Sequence, residues 1–216
     1  NSWFNSIGSD GCIHHSCSLA TQTGRNAHRG PNLGQVVSAP WARELFVPHP
    51  GHVMVGADLE GLELRCLGHY LSRFDEGAFA EVVLNGDIHQ QNADRVGCTR
   101  KEVKTITYAF IYGAGDVKLG HSLSPELSDA QKKQLGGELR RKFLDAIPGL
   151  EPLIDAVKQR VRSSGRLIGL DRRPIFCKAE HASLNYLLQS CGAIISKRWV
   201  VIGQELLDET GLTYDR

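Results

Sequence analysis

The chain has 216 residues, of which 41% are hydrophobic and 23% charged, with 25 Lys and Arg against 24 Asp and Glu. This composition is typical of a globular protein, and a formal net charge of +1 excludes a protein that coats polyanions through overall basicity. No apolar run approaches the roughly 20 residues that span a bilayer, which excludes a membrane-spanning protein. The sequence begins at Asn1 with no signal-peptide pattern, and its one methionine is Met54, so we expect a fragment of a longer protein.

Potential metal ligands are concentrated near the start of the chain. The six cysteines are otherwise scattered, which favours a reducing compartment over a disulfide framework. Zinc sites usually draw ligand pairs from two separate turns, whereas the candidate ligands here all lie within residues 12–17. An alternating strand with incidental ligands is therefore the favoured interpretation of residues 12–17. A zinc-dependent or structural protein built around it stays open as an alternative. The candidate ligands are Cys12, His14, His15 and Cys17.

The predicted elements follow in chain order. Gly and Pro interrupt residues 1–52 and predict loops. The run Val53–Asp58 is predicted to form a short buried strand, and a helix is predicted over residues 62–72. Residues 79–162 have a helical pattern. They are followed by a hairpin over residues 165–176 and a long helix with an apolar stripe over residues 181–209. Strands near both ends predict an α+β fold, with the helical block inserted into a sheet-based platform.

The segment 99–113 carries the most specific local pattern. Thr99 and Glu102 form a capping box, and Gly113 suits the left-handed position after a helix, so both helix ends are predicted. Residues four apart project from nearly the same side of a helix. This spacing places four side chains on one slanted stripe: Arg100, Lys104, Tyr108 and Tyr112.

The stripe has two cations near the helix N-terminus and two phenols near its C-terminus. Free N–H groups and the helix dipole attract anions at the N-terminus, where Arg100 and Lys104 add a strip suited to a polyphosphate. The phenol rings offer flat faces for a base or a sugar. The pattern indicates a nucleoside triphosphate laid along the helix. From spacing alone, a solvated charged turn followed by buried tyrosines is the favoured interpretation.

Asp58 places a carboxylate at the C-terminal end of the predicted strand. A carboxylate at a strand end can hold Mg²⁺, which takes oxygen ligands together with substrate phosphates. Phosphoryl transfer with two metal ions needs at least two carboxylates, and Glu60 faces the same way as Asp58 only if the strand continues. Taken alone, Asp58 is more readily interpreted as a cap of the following helix.

Together these segments resemble the family A, DNA polymerase I-like, DNA polymerases, in particular the replicative enzymes of short-tailed phages. Matching segments occur in order over residues 11–199: Thr23–Arg25 with Pro31–Gln35, Asp58–Arg65, Gly86–His89, Arg100 with Lys104, Tyr112 and Gly113, and Gly169–Arg173 with Asn185 and Gln189. The resemblance implies a right-hand polymerase fold with an antiparallel palm sheet and a largely helical fingers insertion. The implied domains are a leading segment (1–22), a first part of the palm (23–75), the fingers (76–165) and a return to the palm (166–216).

The resemblance also implies residue roles at the nucleotide. Asp58 would bind both catalytic Mg²⁺ ions, assisted by the Leu59 carbonyl, and Lys104 would protonate the leaving pyrophosphate. Glu63 would exclude a ribose 2′-OH, and Tyr112 would guard the templating base. The implied dNTP-binding set is Leu59, Glu63, His89, Arg100, Lys104, Tyr108 and Tyr112. The implied contacts to primer–template DNA are Arg25, Asn32, Gln35, Arg173, Asn185 and Gln189.

The sequence departs from the family pattern at three points. The His-Asp-Glu motif expected after the long helix does not occur, so the second acidic motif is missing and we expect the fragment alone to be inactive. Glu60 stands where the family has a small or hydroxyl residue. Arg172 stands where the hairpin turn usually has Gly, which is unfavourable if the turn needs a positive φ.

The function implied is template-directed addition of dNMP from dNTP to a primer 3′-OH in phage DNA replication, with two Mg²⁺ ions as cofactors of the complete enzyme. The alternative is a non-catalytic remnant that binds nucleotide or primer–template. We expect primer–template DNA and dNTP as partners, and no membrane. A host processivity factor stays open as a partner through a region outside this sequence. The expected location is the cytoplasm of a bacterial host cell.

Overall fold

The structure, a computed structural model, describes residues 3–212, and its contacts separate a first unit up to Glu60 from a second unit that begins at Gly61. The first unit contains two antiparallel strands, β1 (Ser16–Ser18) and β2 (Ala27–Arg29), and one short helix, α1 (Pro40–Arg43). The described hydrophobic side chains of this unit include one that is buried, Ala42. Local hydrogen bonds therefore contribute more to its conformation than a core does.

The predicted strand Val53–Asp58 is wrong. This run has no regular secondary structure, and Val53 and Val55 are 83% and 85% exposed. A strand needs a partner for its backbone N–H and C=O groups. No segment between residues 3 and 212 pairs with this one. The apolar composition of the run predicted a buried strand, but such a run is buried as a strand only when a partner segment is present.

The second unit is largely helical and confirms the α+β prediction. Its helices agree with the predicted helical block and with the predicted long C-terminal helix, and its strands form the predicted hairpin. In chain order its elements are α2 (Leu62–Asp75), α3 (Ala78–Asn85), α4 (Ile88–Val96), α5 (Arg100–Ile111), α6 (Asp116–Leu123), α7 (Asp129–Ala146), α8 (Leu150–Ser164), β3 (Arg166–Ile168), β4 (Pro174–Phe176) and α9 (Ser183–Thr210).

One hydrophobic core joins the helices of the second unit. Leu67 of α2, Ile106 of α5 and Leu188 of α9 are at most 1% exposed and belong to the same cluster. Burial of large aliphatic side chains of this kind contributes about 1.5–3 kcal/mol each. The core therefore fixes the orientation of the helices that carry the predicted nucleotide-binding residues.

Helices α6 and α7 cross unusually closely. A Cβ atom on Gly136 would lie 1.8 Å from the backbone oxygen of Asp116, and one on Gly120 would lie 2.0 Å from that of Lys132. Glycine is therefore required at both positions for the two backbones to approach. Arg140 of α7 reinforces the crossing, since its Nε donates to Oδ1 of Asp116 at 2.7 Å.

The hairpin of β3 and β4 turns at the predicted position. Arg172 has a φ of 66°, so the turn does need the left-handed conformation that the sequence made unfavourable for arginine. The preceding residues pack against α9, because a Cβ on Gly169 would lie 3.4 Å from Oγ of Ser190. Across residues 3–212, we find no helix with the length and apolar character needed to cross a membrane.

Candidate functional site

Helix α5 is held at both ends by local contacts. Thr99 and Glu102 form the predicted capping box: the Thr99 N–H donates to the Glu102 carboxylate at 2.7 Å, and the Glu102 N–H donates to the Thr99 hydroxyl at 3.3 Å. Gly113 has a φ of 76°, and a Cβ there would lie 3.1 Å from the carbonyl oxygen of His181. Glycine thus ends the helix and allows close approach to the segment before α9.

The predicted stripe of α5 lies opposite to side chains of the same helix that pack into the core. Val103, Ile106 and Phe110 are buried in the core. The stripe residues Arg100, Lys104 and Tyr112 are exposed, and Tyr108 is half-buried. The rings of Tyr108 and Tyr112 have centroids 6.3 Å apart, so they extend the stripe from its cationic end towards α9.

Two further helices add side chains to this stripe. His89 of α4 lies with its ring centroid 6.3 Å from that of Tyr108. Glu63 of α2 accepts a hydrogen bond from the Tyr112 hydroxyl at 3.4 Å. The structure therefore brings residues from three helices to one surface, here called the α5 face: Glu63, His89, Arg100, Lys104, Tyr108 and Tyr112.

An acidic residue that the sequence analysis did not place in the site also belongs here. Asp87 caps α4 by accepting the N–H groups of His89 and Gln90 at 3.1 and 3.0 Å. Its second oxygen accepts Nε of Arg100 at 2.8 Å. This hydrogen bond and those from the backbone hold the pKa of Asp87 below its usual range. Asp87 lies within the matched segment Gly86–His89, but the 13 residues that separate it from Arg100 gave no local signal of their contact.

The protonation states on the α5 face follow from burial and nearby charge. Burial, followed by the charges of Arg100 and Lys104, lowers the pKa of His89, which keeps its ring neutral near neutral pH. Burial and the Glu63 carboxylate raise the pKa of Tyr108, so its phenol stays protonated. Nδ1 of His89 is buried and has no hydrogen-bond partner among the described residues. The face therefore combines two permanent cations with neutral aromatic groups.

The predicted DNA contacts of the second unit lie on α9 and on the adjacent hairpin. Asn185 and Gln189 are one turn apart and half-buried, and Oδ1 of Asn185 has no hydrogen-bond partner within residues 3–212. Arg173 is exposed, and its guanidinium pairs with Asp171. The hairpin turn packs beside Ser190, the residue after Gln189, which places the three predicted contacts in one region of this unit.

The other predicted residues lie in the first unit. Arg25, Asn32 and Gln35 are all exposed, in the segment that follows β1. The Asn32 side chain accepts the N–H of Gly34 at 3.1 Å and so starts a 3₁₀ turn over Leu33–Gln35. Asp58 is exposed as well. The expected buried strand does not position it, because that strand does not form.

The four candidate soft ligands of residues 12–17, kept as an alternative in the sequence analysis, do not meet as one set. His14 pairs with Asp10 at 2.8 Å, and Sγ of Cys12 lies 3.9 Å from the Asp10 carbonyl oxygen. His15 and Cys17 lie near His28 of β2 instead. No sequence pattern links His28 to them, since only the pairing of β1 with β2 brings it close.

Comparisons with known proteins identify the family and the fold of this chain. The model of the family described as DNA polymerase family A matches residues 4–215. The chain is 35% identical to the DNA-directed DNA polymerases of Escherichia phage T7 and of Enterobacteria phage T3, in each case over 98% of this chain and 33% of the relative. It is also 26% identical to DNA polymerase I of Caldicellulosiruptor bescii, over 94% of this chain and 26% of that protein.

The fold is shared with a solved polymerase structure. The POL domain of Pol1 from M. smegmatis, in complex with DNA primer-template and dNTP, matches with a TM-score of 0.77 at 22% identity, over 98% of this chain and 41% of that chain. The chain belongs to DNA polymerase family A. It spans about a third of the length of the phage relatives that it matches.

Proposed function

We propose that this chain supplies the nucleotide-binding helix and one catalytic carboxylate of a template-directed DNA polymerase that acts in phage DNA replication. The polymerase adds dNMP from dNTP to a primer 3′-OH. The observation that carries the proposal is the α5 face, where two cations, a neutral imidazole, two phenols and a carboxylate meet on one surface. Family membership and 35% identity to two phage polymerases support it.

The triphosphate lies at the N-terminal end of α5. Arg100 and Lys104 are one helical turn apart and exposed, so both reach the phosphate oxygens of a single ligand. His89 is neutral and donates a hydrogen bond to the same group. Lys104 is also the proposed proton donor to the leaving pyrophosphate.

Asp87 affects the binding of a triphosphate at Arg100. Its carboxylate already accepts Nε of Arg100 at 2.8 Å, and the two side chains are 47% and 54% exposed. A triphosphate therefore competes with Asp87 for the guanidinium. Solvent screens such an exposed pair and leaves it weak, so a multiply charged phosphate group readily replaces it.

The sugar and base lie at the C-terminal end of α5. Tyr108 is next to His89 and is the proposed contact to the sugar, and Tyr112 stacks in the insertion site and guards the templating base. Glu63 accepts the Tyr112 hydroxyl at 3.4 Å, so its carboxylate is held beside the phenol. In this position Glu63 excludes a ribose 2′-OH by occupying the space that the hydroxyl needs.

Asp58 and Leu59 fit one part of a magnesium site. The Asp58 side chain is exposed, and Mg²⁺ in phosphate-transfer sites takes one or two carboxylates together with substrate phosphates. Asp58 and the Leu59 carbonyl would hold the two Mg²⁺ ions of the complete enzyme. When bound, these ions neutralise the charge on the transferring phosphate and on the attacking and leaving oxygens.

Primer–template DNA is the proposed ligand of the six residues that the family resemblance implies as DNA contacts. Minor-groove acceptors are nearly the same for every base pair, so amide and guanidinium donors there detect the shape of a pair without reading its sequence. Asn185 and Gln189 project from one side of α9, and Arg173 lies on the adjacent hairpin and binds the primer backbone. The residues of this set are Arg25, Asn32, Gln35, Arg173, Asn185 and Gln189.

Primer extension by a chimera tests the proposal. In the chimera, this chain replaces the aligned third of the phage T7 relative. The expected result is Mg²⁺-dependent extension that Asp58→Asn slows by more than about tenfold, because the substitution removes a metal-binding charge. Glu44→Gln removes another exposed carboxylate of the first unit and leaves the rate unchanged.

Two other outcomes distinguish the alternatives. An Asp58→Asn rate within tenfold of the unmodified chimera overturns the assignment of Asp58. Binding of dNTP by the chain without any extension by the chimera supports the non-catalytic remnant.

A further inference from the structure

A cluster of potential metal ligands lies in the first unit and shares no residue with the α5 face. Cys17 of β1, His28 of β2 and His15, which immediately precedes β1, place one ligand atom each within 4.8 Å of one another. We propose that these three side chains bind one Zn²⁺ ion. The site is independent of the proposed nucleotide chemistry, since none of its members has a role there.

Strand geometry explains why the three side chains meet. His15 and Cys17 are two residues apart, so they project from the same face of an extended chain. Cys17 is paired with His28 in the antiparallel register, and directly opposed side chains also share a face. His15 then reaches His28 diagonally, and the two rings stack with centroids 5.1 Å apart.

Two of the three ligand separations are close to those that a tetrahedral ion requires. Nε2 of His15 lies 3.0 Å from Nδ1 of His28, and Sγ of Cys17 lies 3.2 Å from the same Nδ1. Zinc bond lengths of about 2.0–2.1 Å to nitrogen and 2.3 Å to sulfur give ligand separations of about 3.3 Å and 3.6 Å in a tetrahedron. Binding therefore needs these two pairs to separate by a few tenths of an ångström, and all three ligand atoms lie within 4.8 Å of one another.

The donor set selects the kind of metal. Two imidazole nitrogens and one thiolate suit zinc and other soft or borderline transition metals, whereas Mg²⁺ and Ca²⁺ take oxygen ligands. Three protein ligands leave a fourth tetrahedral position for water. The site thus differs in chemistry and in place from the magnesium site proposed at Asp58.

The proposed ion also has a structural consequence within the first unit. A Cβ on Gly34 would lie 2.8 Å from Cδ2 of His28, so the His28 ring packs against the 3₁₀ turn that contains Gln35. Strand β2 lies between Arg25 and Asn32 in the sequence. A metal bound to His28 therefore braces the segment that carries the proposed DNA contacts of this unit.

Cobalt substitution tests the site in the full 216-residue chain. Titration with CoCl₂ is followed by visible absorption, which reports tetrahedral geometry, and by the near-ultraviolet charge-transfer band of a cobalt–thiolate bond. We expect one equivalent of Co²⁺ to bind, and one equivalent of ZnCl₂ to displace it. Cys17→Ser abolishes the charge-transfer band, and His28→Ala weakens Co²⁺ binding by at least about 100-fold, since even the loss of an outer-shell partner costs 10–100-fold.

Neighbouring residues of the same types provide the controls. Cys12→Ser and His14→Ala remove a thiol and an imidazole close in sequence but outside the cluster, and they leave the band and the affinity unchanged. Circular dichroism of each variant verifies that it is folded. The proposal is overturned if Co²⁺ does not bind stoichiometrically, or if Cys12→Ser removes the band while Cys17→Ser retains it.

Discussion

The two units of this chain present their functional residues by different physical means. In the second unit, α5 begins and ends at defined residues, and a shared core orients it against α2, α4 and α9. In the first unit, Arg25, Asn32 and Asp58 are exposed, and the run Val53–Asp58 lacks regular structure. A core fixes the positions of side chains that do not interact with one another, whereas local hydrogen bonds fix only their immediate neighbours. We therefore predict that the side chains of the proposed nucleotide site on the α5 face are in position before a nucleotide binds. In the first unit, by contrast, we expect the positions of the proposed functional side chains to depend on a bound partner.

Hydrogen exchange should show the largest difference between the units. We expect the amides of β1 and β2 to exchange at least about 10³-fold faster than those in the middle of α2 and α5, because the latter open only when the core does. Mass spectrometry of deuterated peptides measures this directly. Similar protection in both units would show that the first unit has stabilising contacts that local hydrogen bonds do not provide. Addition of ZnCl₂ should slow exchange in β1, in β2 and in the adjoining 3₁₀ turn, and should leave the second unit unchanged.

The α6–α7 crossing should be the most sensitive point of the second unit. Gly136→Ala places a Cβ 1.8 Å from the Asp116 carbonyl oxygen, so the two helices must separate. We expect the free energy of unfolding to fall by more than about 3 kcal/mol in urea titrations. Gly137→Ala is the matched control, since the nearest atom to its Cβ is 3.9 Å away, and it should be neutral or slightly stabilising. Equal effects of the two substitutions would mean that the crossing is looser than described.

A smaller change in the free energy of unfolding is expected at the β3–β4 turn, because a substitution there changes backbone strain and leaves the core intact. Arg172 is exposed and has a φ of 66°. Arg172→Gly should raise the free energy of unfolding by about 1 kcal/mol, because glycine adopts the left-handed conformation without steric cost. Arg172→Ala removes the same side chain but keeps a Cβ, so it should change stability little. A stabilising Arg172→Ala would instead indicate that the arginine charge is unfavourable.

The mildest test uses the protonation of His89. Burial and the charges of Arg100 and Lys104 lower its pKa, so the folded state binds this proton less readily than the unfolded state. Its contribution to stability is therefore present above about pH 6.5 and is lost as the pH falls through the lowered pKa. In NMR titrations, Lys104→Ala should raise the pKa of His89, and so should bound dNTP, whose phosphates add negative charge. A pKa that moves with neither change would place His89 outside the site.

Much of the second unit was predictable because its signals are local. The capping box at Thr99, the left-handed Gly113 and the four-residue spacing of the stripe each lie within one or two helical turns. The prediction of a strand at Val53–Asp58 was wrong because an apolar run becomes a strand only when another segment pairs with it. Nothing within the run supplies that information.

The contacts that the sequence did not predict all join residues far apart in the chain. Asp87 reaches Arg100 across two helices, and Tyr112 reaches Glu63 over 49 positions. His28 joins Cys17 only through the register of β1 and β2. Helical periodicity and capping motifs do not encode such contacts. The family resemblance did predict that His89, Lys104 and Tyr108 act together, and the structure places them on one face.

Equilibrium binding of dNTP to the chain is the most direct test of the α5 face. Isothermal titration with dNTP and Mg²⁺ compares Lys104→Ala with Lys101→Ala, a control that removes an equal charge from an exposed residue of the same helix. Lys101 projects about 100° from Arg100 and about 60° from Lys104 around the helix axis, so its side chain flanks the stripe without belonging to it. We predict that Lys104→Ala weakens binding about 10-fold or more, as expected for one charge-assisted hydrogen bond, and that Lys101→Ala changes it less than about twofold. Equal losses in the two variants would contradict a nucleotide site on this face.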